Sequence, residues 1–412
     1  MHAGGIRCRL AGLLVGFVAL TCALLPSGPA DADDVKIGLL FGVTGRFANF
    51  TPPLLDAAKL AVDEVNANGG ILDGQKLETV LADTKSTNQG GIEAARKLVD
   101  SDHVAAIVGS NSSPTTMAVA HAVTIPKGVV TISPSATATV ITSMEDEDLV
   151  FRLAPSDALQ GWVLARLAHD QGLTRVALTY IDNAYGAGVN DVFRYHFEHF
   201  GGTVTVSQVH EANKSSYLSE LTTLSKYKPQ ALVVASYAAG GGIAIVNEAL
   251  EKGFFNRIIG TYSMMDPLLI QEVGTDNLKG MSFTAPTIDP ATSAAEKFEK
   301  IYRAAFNRGL DKPFIARTYD AVMLTALAIE QAGSTDRAKV HEALRQVCCG
   351  PGEAVEPGEW AKAKALIAAG KKINYEGASG DCDFDEYGNV EGVYGHYVVE
   401  NGAFKLVELL RP

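Results

Sequence analysis

Two hydroxyl-rich segments stand closest to chemistry in this chain. Ser110-Asn111-Ser112-Ser113 follows the apolar run Val104–Val108 and Gly109, and Ser133-Pro134-Ser135-Ala136-Thr137 follows Val129–Ile132. Each apolar run reads as a buried parallel strand, and Pro114 to about Val123 reads as a helix with Ser113 as N-cap. One βαβ unit therefore ends both of its strands in a hydroxyl loop. Open parallel sheets collect ligands beyond the carboxyl ends of their strands. Hydroxyls and free helix N-terminal amides there favour a carboxylate over a cation. Serine and threonine are also the ordinary residues of caps and turns. Two such loops on one sheet edge point beyond capping, to a site for a small anion or zwitterion.

Other chemistry lacks its residues. No serine sits in a G-x-S-x-G elbow, and there is no phosphate-binding G-x-x-x-x-G-K-[ST] loop or dinucleotide fingerprint after the first strand. His121, His169, His196, His199, His210 and His341 fall within or beside expected helices and strands, as packed or solvated residues. No histidine lies at ligand spacing from the cysteines, so no metal site is expected. The chain is not expected to be an enzyme, and no cofactor is implied.

The elements that position the two loops begin after an N-terminal leader. Arg7 and Arg9 precede the apolar stretch Leu10–Leu25. Pro26-Ser27-Gly28 breaks it, and Ala30-Asp31-Ala32 has a small-x-small cleavage pattern. Residues 1–32 read as a secretory signal peptide, which implies a periplasmic protein. The formal charge is −12; the leader's two arginines and one aspartate take +1 with them and leave −13. An acidic chain without a basic patch is not expected to bind nucleic acid. Of five cysteines, Cys348, Cys349 and Cys382 remain after the leader. In an oxidising compartment Cys382 is expected to bridge to Cys349 or Cys348, since adjacent cysteines pair only under strain.

From Val35 strands and helices alternate. Val35–Phe41 and Leu77–Ala82 are expected strands, and Leu54–Val65 an amphipathic helix opened by Pro52 or Pro53 and stopped by Asn68-Gly69-Gly70. Phe151-Arg152-Leu153-Ala154-Pro155 interrupts the rhythm. A second alternation follows, with strands Arg175–Tyr180, Thr203–Val209, Ala231–Ser236 and Arg257–Thr261, and with Asp182–Gly186 as an exit loop. Tyr394–Glu400 and Phe404–Leu409 flank Asn401-Gly402 as a hairpin. The pattern is α/β with two doubly wound halves.

Several stretches together resemble the leucine/isoleucine/valine-binding family, the type I periplasmic binding proteins of amino-acid ABC importers. They are VKIGLLFGVTGRFA, LAVDEVNANGGI, ARKLVD, TISPSATAT, FRLAPSDALQG, NAYGAGV and KINYEGASGDCDFDEYGNV, in that order over residues 35 to 410. The resemblance implies the type I periplasmic-binding-protein fold, two doubly wound α/β lobes with a ligand cleft between them. It places residues 33–153 and 286–383 in the N-terminal lobe and 154–285 and 384–412 in the other. It implies a monomer that captures an amino acid, by family default of the branched-chain type, and delivers it to an inner-membrane ABC permease. Relatives with an altered acid position bind small amides or aromatic carboxylates, and a ligand-sensing receptor module shares the fold.

Matched motif by motif, the resemblance assigns ligand contacts to Ser113 with Ser112 beside it, Ser135, Ala136, Thr137, Tyr185, Tyr237 and Phe50, with Phe314 as a further wall. It also marks a departure. Where many members carry an acid to pair with the ligand's ammonium, this chain has Tyr262, and the nearest acid is Asp266. A buried ammonium without a carboxylate is costly. Either Asp266 or another acid substitutes, or the ligand carries less positive charge than an amino acid.

Overall fold

The computed structural model describes residues 1–2, 4–5, 34–310 and 312–411. The chain divides into two units, Met1–Asp33 and Asp34–Pro412. Apart from residues 1–2 and 4–5, the expected signal peptide lies outside the described residues, as does its cleavage site.

In the second unit β1 (Val35–Phe41), β2 (Leu77–Asp83), β3 (Ile107–Gly109), β4 (Thr131–Ser133) and β5 (Val150–Arg152) form one parallel sheet in the order β2-β1-β3-β4-β5. The second sheet holds β6 (Arg175–Ile181), β7 (Thr203–His210), β8 (Ala231–Ala235), β9 (Ile258–Thr261) and β10 (Ser282–Thr287), parallel in the order β7-β6-β8-β9-β10. A small sheet, β11 (Glu353–Val355), β12 (Ile373–Gly377) and β13 (Gly380–Asp381), lies apart. The hairpin β14 (Val393–Glu400) and β15 (Ala403–Leu410) extends the second sheet antiparallel from β10. β1 is buried at every position but Lys36, and β8 throughout, as strands covered on both faces require.

Strand order reverses between β1 and β3 in the first sheet and between β6 and β8 in the second. The crevices at such switch points are where open α/β sheets bind ligands. The loops leaving these four strands, with those leaving β4 and β9, build the site described below. The helix Pro52–Ala67, opened by two prolines, buries Leu54, Ala57, Ala58, Ala61 and Val65 at three- and four-residue spacing. It packs on the helix Ile315–Ala332, which is buried along most of its length.

The chain passes between the sheets after β5, after β10 and before β14, and two arginines tie these passages together. Arg317 is fully buried and donates to the carbonyls of Leu153 (2.9 Å) and Thr287 (3.1 Å). Arg152 donates to Asn389 Oδ1 (2.7 Å), the Ala138 carbonyl (2.8 Å) and Thr142 Oγ1 (2.6 Å).

Three expectations change. Ser112, not Ser113, is the N-cap residue of the helix Ser113–Val119, and it makes no side-chain capping bond. The helix after β6 starts at Ala184, capped by Asn183, whose side chain accepts from the Gly186 amide. Tyr185 therefore lies in a first helical turn rather than an exit loop. Cys348, Cys349 and Cys382 are all free thiols, so the bridge expected from Cys382 is not formed. The sulfurs that meet are those of Cys348 and Cys349, 2.6 Å apart, while Cys349 Sγ accepts the Phe384 amide and Cys382 faces the Gly380 carbonyl. The helices Arg337–Cys348 and Trp360–Ala368 and the small sheet have no counterpart in the sequence reading. Among the described residues no helix is long and apolar enough to cross a membrane.

Candidate functional site: the cleft between the two sheets

The loops at the two switch points enclose a narrow cavity of about 30 Å³, room for one or two waters. Of the nine residues singled out by sequence, Ser112, Ser113, Ser135, Tyr237, Tyr262 and Phe50 line it; Phe314 does as well. Ala136, Thr137 and Tyr185 stand behind that lining. Arg46, Phe47, Asn111, Ala238, Ala239 and Ser263 complete the wall without having been foreseen.

The hydroxyl loops divide into two kinds of group. Some hydroxyls are spent on the loops themselves. Ser113 Oγ accepts the amides of Thr137 (3.0 Å) and Ala138 (3.1 Å), which locks the second loop onto the start of the helix Ser113–Val119. Ser133 Oγ donates to the Ser110 carbonyl (2.7 Å) and accepts the Ala136 amide (2.9 Å). Asn111 accepts from the Gly42 amide (2.9 Å) and donates to Thr51 Oγ1 (3.0 Å), tying in the loop that carries Phe47 and Phe50. By contrast, the hydroxyls of Ser112 and Ser135 are buried without a hydrogen-bond partner. Both line the cavity. An unpaired buried hydroxyl is costly, and here the two converge on one space.

The opposite wall is aromatic. Tyr185 stacks on Tyr237 with ring centroids 5.4 Å apart and leans on Tyr262 at 5.6 Å. Phe47 meets Tyr237 edge-on at 5.3 Å, and Phe314 meets Tyr262 at 5.1 Å and Phe50 at 6.3 Å. Arg46 caps this chain of rings, its guanidinium 5.2 Å from the Tyr237 centroid. The Tyr185 hydroxyl donates to Thr261 Oγ1 (2.7 Å) and lies 2.6 Å from Ser263 Oγ. Thr137 Oγ1 and the Tyr262 hydroxyl, 2.8 Å apart, bridge the two walls. Burial raises the phenol pKa of all three tyrosines, that of Tyr237 to about 12, so they remain neutral.

Two acids flank the site. Asp266 lines the cavity, but its carboxylate caps the helix Pro267–Val273 by accepting the Leu268 amide (2.9 Å) and lies 3.9 Å from Lys312 Nζ. Asp157, which sequence reasoning missed, opens the helix Asp157–Asp170. Its amide donates to the Thr137 carbonyl (2.7 Å), and its carboxylate takes a hydrogen bond from the Thr137 side chain. Burial drives its pKa up to about 7, against the opposing pull of the Thr137 hydroxyl and the Arg152 guanidinium. The only signal for it in the sequence was its place at a helix start within FRLAPSDALQG. Among the described residues no cluster of histidine, cysteine and acids could hold a metal.

A two-lobed α/β protein with a small cleft between facing switch points, lined by hydroxyls on one side and aromatic rings on the other, is built to enclose a small molecule. The family model described as "Periplasmic binding protein" matches residues 34–349. The chain belongs to that family of solute-binding proteins, whose members are not enzymes. It is 29% identical over 333 residues to the leucine-, isoleucine-, valine-, threonine- and alanine-binding protein of Pseudomonas aeruginosa, covering 80% of this chain and 87% of the relative. The substrate-binding protein LivJ of a branched-chain amino acid transporter from Streptococcus pneumoniae, solved with isoleucine, superposes with a TM-score of 0.76 at 25% identity. That match covers 92% of this chain and 100% of LivJ. A solute-binding protein of an ABC transporter from R. palustris, solved with benzoate, has a TM-score of 0.73 at 18% identity, over 91% of this chain and 96% of the other, a likeness of fold.

Proposed function

We propose that this protein captures an amino acid with an apolar side chain, of the branched-chain type, in the periplasm and delivers it to an ABC import permease of the inner membrane. One observation carries the reading: the unpartnered Ser112 and Ser135 hydroxyls converge on a cavity whose other wall is aromatic. The hydroxyls suit a carboxylate, and the rings suit an apolar side chain. Two bodies, residues 33–153 with 286–383 and residues 154–285 with 384–412, would part to admit the ligand and close on it, hinged at the passages held by Arg152 and Arg317. The protein would act as a monomer. The chain of six rings, and Tyr262 where an acid is expected, favour a second reading, an aromatic carboxylate.

A thermal-shift screen of the exported protein with branched-chain amino acids, their amides and aromatic acids tests this. A ligand at a hundred times its dissociation constant adds about 2.7 kcal/mol to stability. No stabilisation by any member of the panel would rule the reading out.

A further inference from the structure

We propose that the chain holds a second small-molecule site, apart from the cleft, that takes a monocarboxylate with an apolar body no larger than one ring. The site is a cavity of about 130 Å³ at the start of the helix Ile315–Ala332, where the cleft offers about 30 Å³. An apolar protein cavity of about 150 Å³ takes up benzene. Met265, Ile288, Leu310, Pro313 and Phe404 make most of the lining apolar, and Phe314 lines this cavity and the cleft alike.

Arg317 gives the reason for an anion. It lines the cavity, is 2% exposed, and forms no ion pair among the described residues. A buried charge without a counter-charge is costly. The acid whose charge reaches it is Asp320, and that carboxylate is already taken by the Tyr375 hydroxyl, the Ala378 and Ser379 amides and the Ser379 hydroxyl. Arg152 shows what a purely structural arginine does here: equally buried, it donates from all three of its nitrogens. Arg317 donates from Nε and Nη2 only, to Leu153 and Thr287, and Nη1 makes no hydrogen bond. Two further features favour negative charge at the same place. Lys312 lines the cavity, its charge shared with Asp266 at 3.9 Å. Ile315 and Ala316, the first residues of an 18-residue helix that opens without a side-chain cap, line it too, so the positive end of that helix dipole falls on the cavity.

The alternative is an arginine that only ties Leu153 to Thr287. Fluorine NMR of the exported protein with 4-fluorobenzoate separates the two, with 4-fluorobenzamide as the uncharged control. In wild type a saturable bound signal is expected for the acid, at least about tenfold tighter than for the amide. It should persist in Ser112→Ala, which alters the cleft alone. Arg317→Gln should weaken it by about tenfold or more, and Ala316→Leu, which fills the cavity, should abolish it. Where neither variant folds, crystals of wild type with 4-bromobenzoate decide: the anomalous bromine peak is expected between Phe314 and Arg317. Absence of a bound signal, equal affinity for acid and amide, a signal unchanged in Ala316→Leu, or a bromine peak elsewhere overturns the proposal. A signal lost in Ser112→Ala and kept in Ala316→Leu belongs to the cleft; it overturns the second site and leaves the solute-capture reading standing.

Discussion

The two walls of the cleft are held in place by different chemistry. The first is made of short loops at the ends of β3 and β4, and hydroxyls fasten it: Ser113 holds two amides of the Thr137 loop, and Ser133 holds the Ser110 carbonyl. None of these groups titrates near neutrality. The second wall is three tyrosines at the ends of β6, β8 and β9, and a histidine stands under it. His210 is 2.8 Å from Thr179 Oγ1 and 3.0 Å from Ser236 Oγ, and Ser236 leads directly into Tyr237. The first wall is thus a fixed array of dipoles. The second is an apolar surface whose footing depends on one neutral imidazole.

Acid is the strongest way to break this comparison. Burial lowers the His210 pKa to about 4. The folded protein keeps the ring neutral while the unfolded chain protonates it, so its contribution is complete above pH 6.5 and is lost as pH falls toward 4. The loss amounts to about 3 kcal/mol. Hydrogen exchange at pH 4.5 should show opening of β6, β7 and β8 before β1, β3 and β4, and His210→Gln should flatten the acid limb of a melting curve. Opening of the first sheet first would remove the distinction.

The next effect belongs to the hydroxyl wall. Ser113→Ala leaves the Thr137 and Ala138 amides without their acceptor, at a cost of about 2 kcal/mol in stability. Ligand affinity should fall with it. Ser112→Ala removes a hydroxyl that holds nothing in the fold, and should leave the denaturant midpoint unchanged or slightly raised while weakening binding. Equal stability losses in the two variants would show that the division between spent and free hydroxyls is wrong.

On the aromatic wall, Tyr185→Phe deletes bonds to Thr261 and Ser263 and should cost about 1.5 kcal/mol in urea unfolding, with the ring stack retained. Tyr262→Phe is the gentlest change. It removes the single bridge to Thr137, worth about 1 kcal/mol, and leaves the contact with Phe314. Small-angle scattering should detect a shift toward separated lobes; an unchanged profile together with unchanged stability would deny the bridge a role in closure.

Much of this architecture is written in local pattern. The helix opened at Pro52 and the strand start at Leu77 fall where the sequence pattern places them, and the terminal hairpin flanks Asn401-Gly402 as expected. The stretch from Gly333 to Asn389 was far less legible. Its strands are two to five residues long, too short for a period to declare itself, and they pair in a sheet of their own.

The site shows the same limit. That Ser110–Ser113 and Ser133–Thr137 end strands on one sheet edge follows from the sequence by itself, because a βαβ unit is a local, right-handed object. Which hydroxyls are spent and which are free does not. Ser113 finds the Thr137 amide 24 residues on, and Thr137 finds Tyr262 at 125 residues' separation. Asp157 remains hidden for the same reason: in sequence it is one more acid in a first helical turn. Only the folded chain buries it completely, within electrostatic reach of Arg152 and three tyrosines. Burial is a property of what surrounds a residue, and here the surroundings reach as far along the chain as Tyr262.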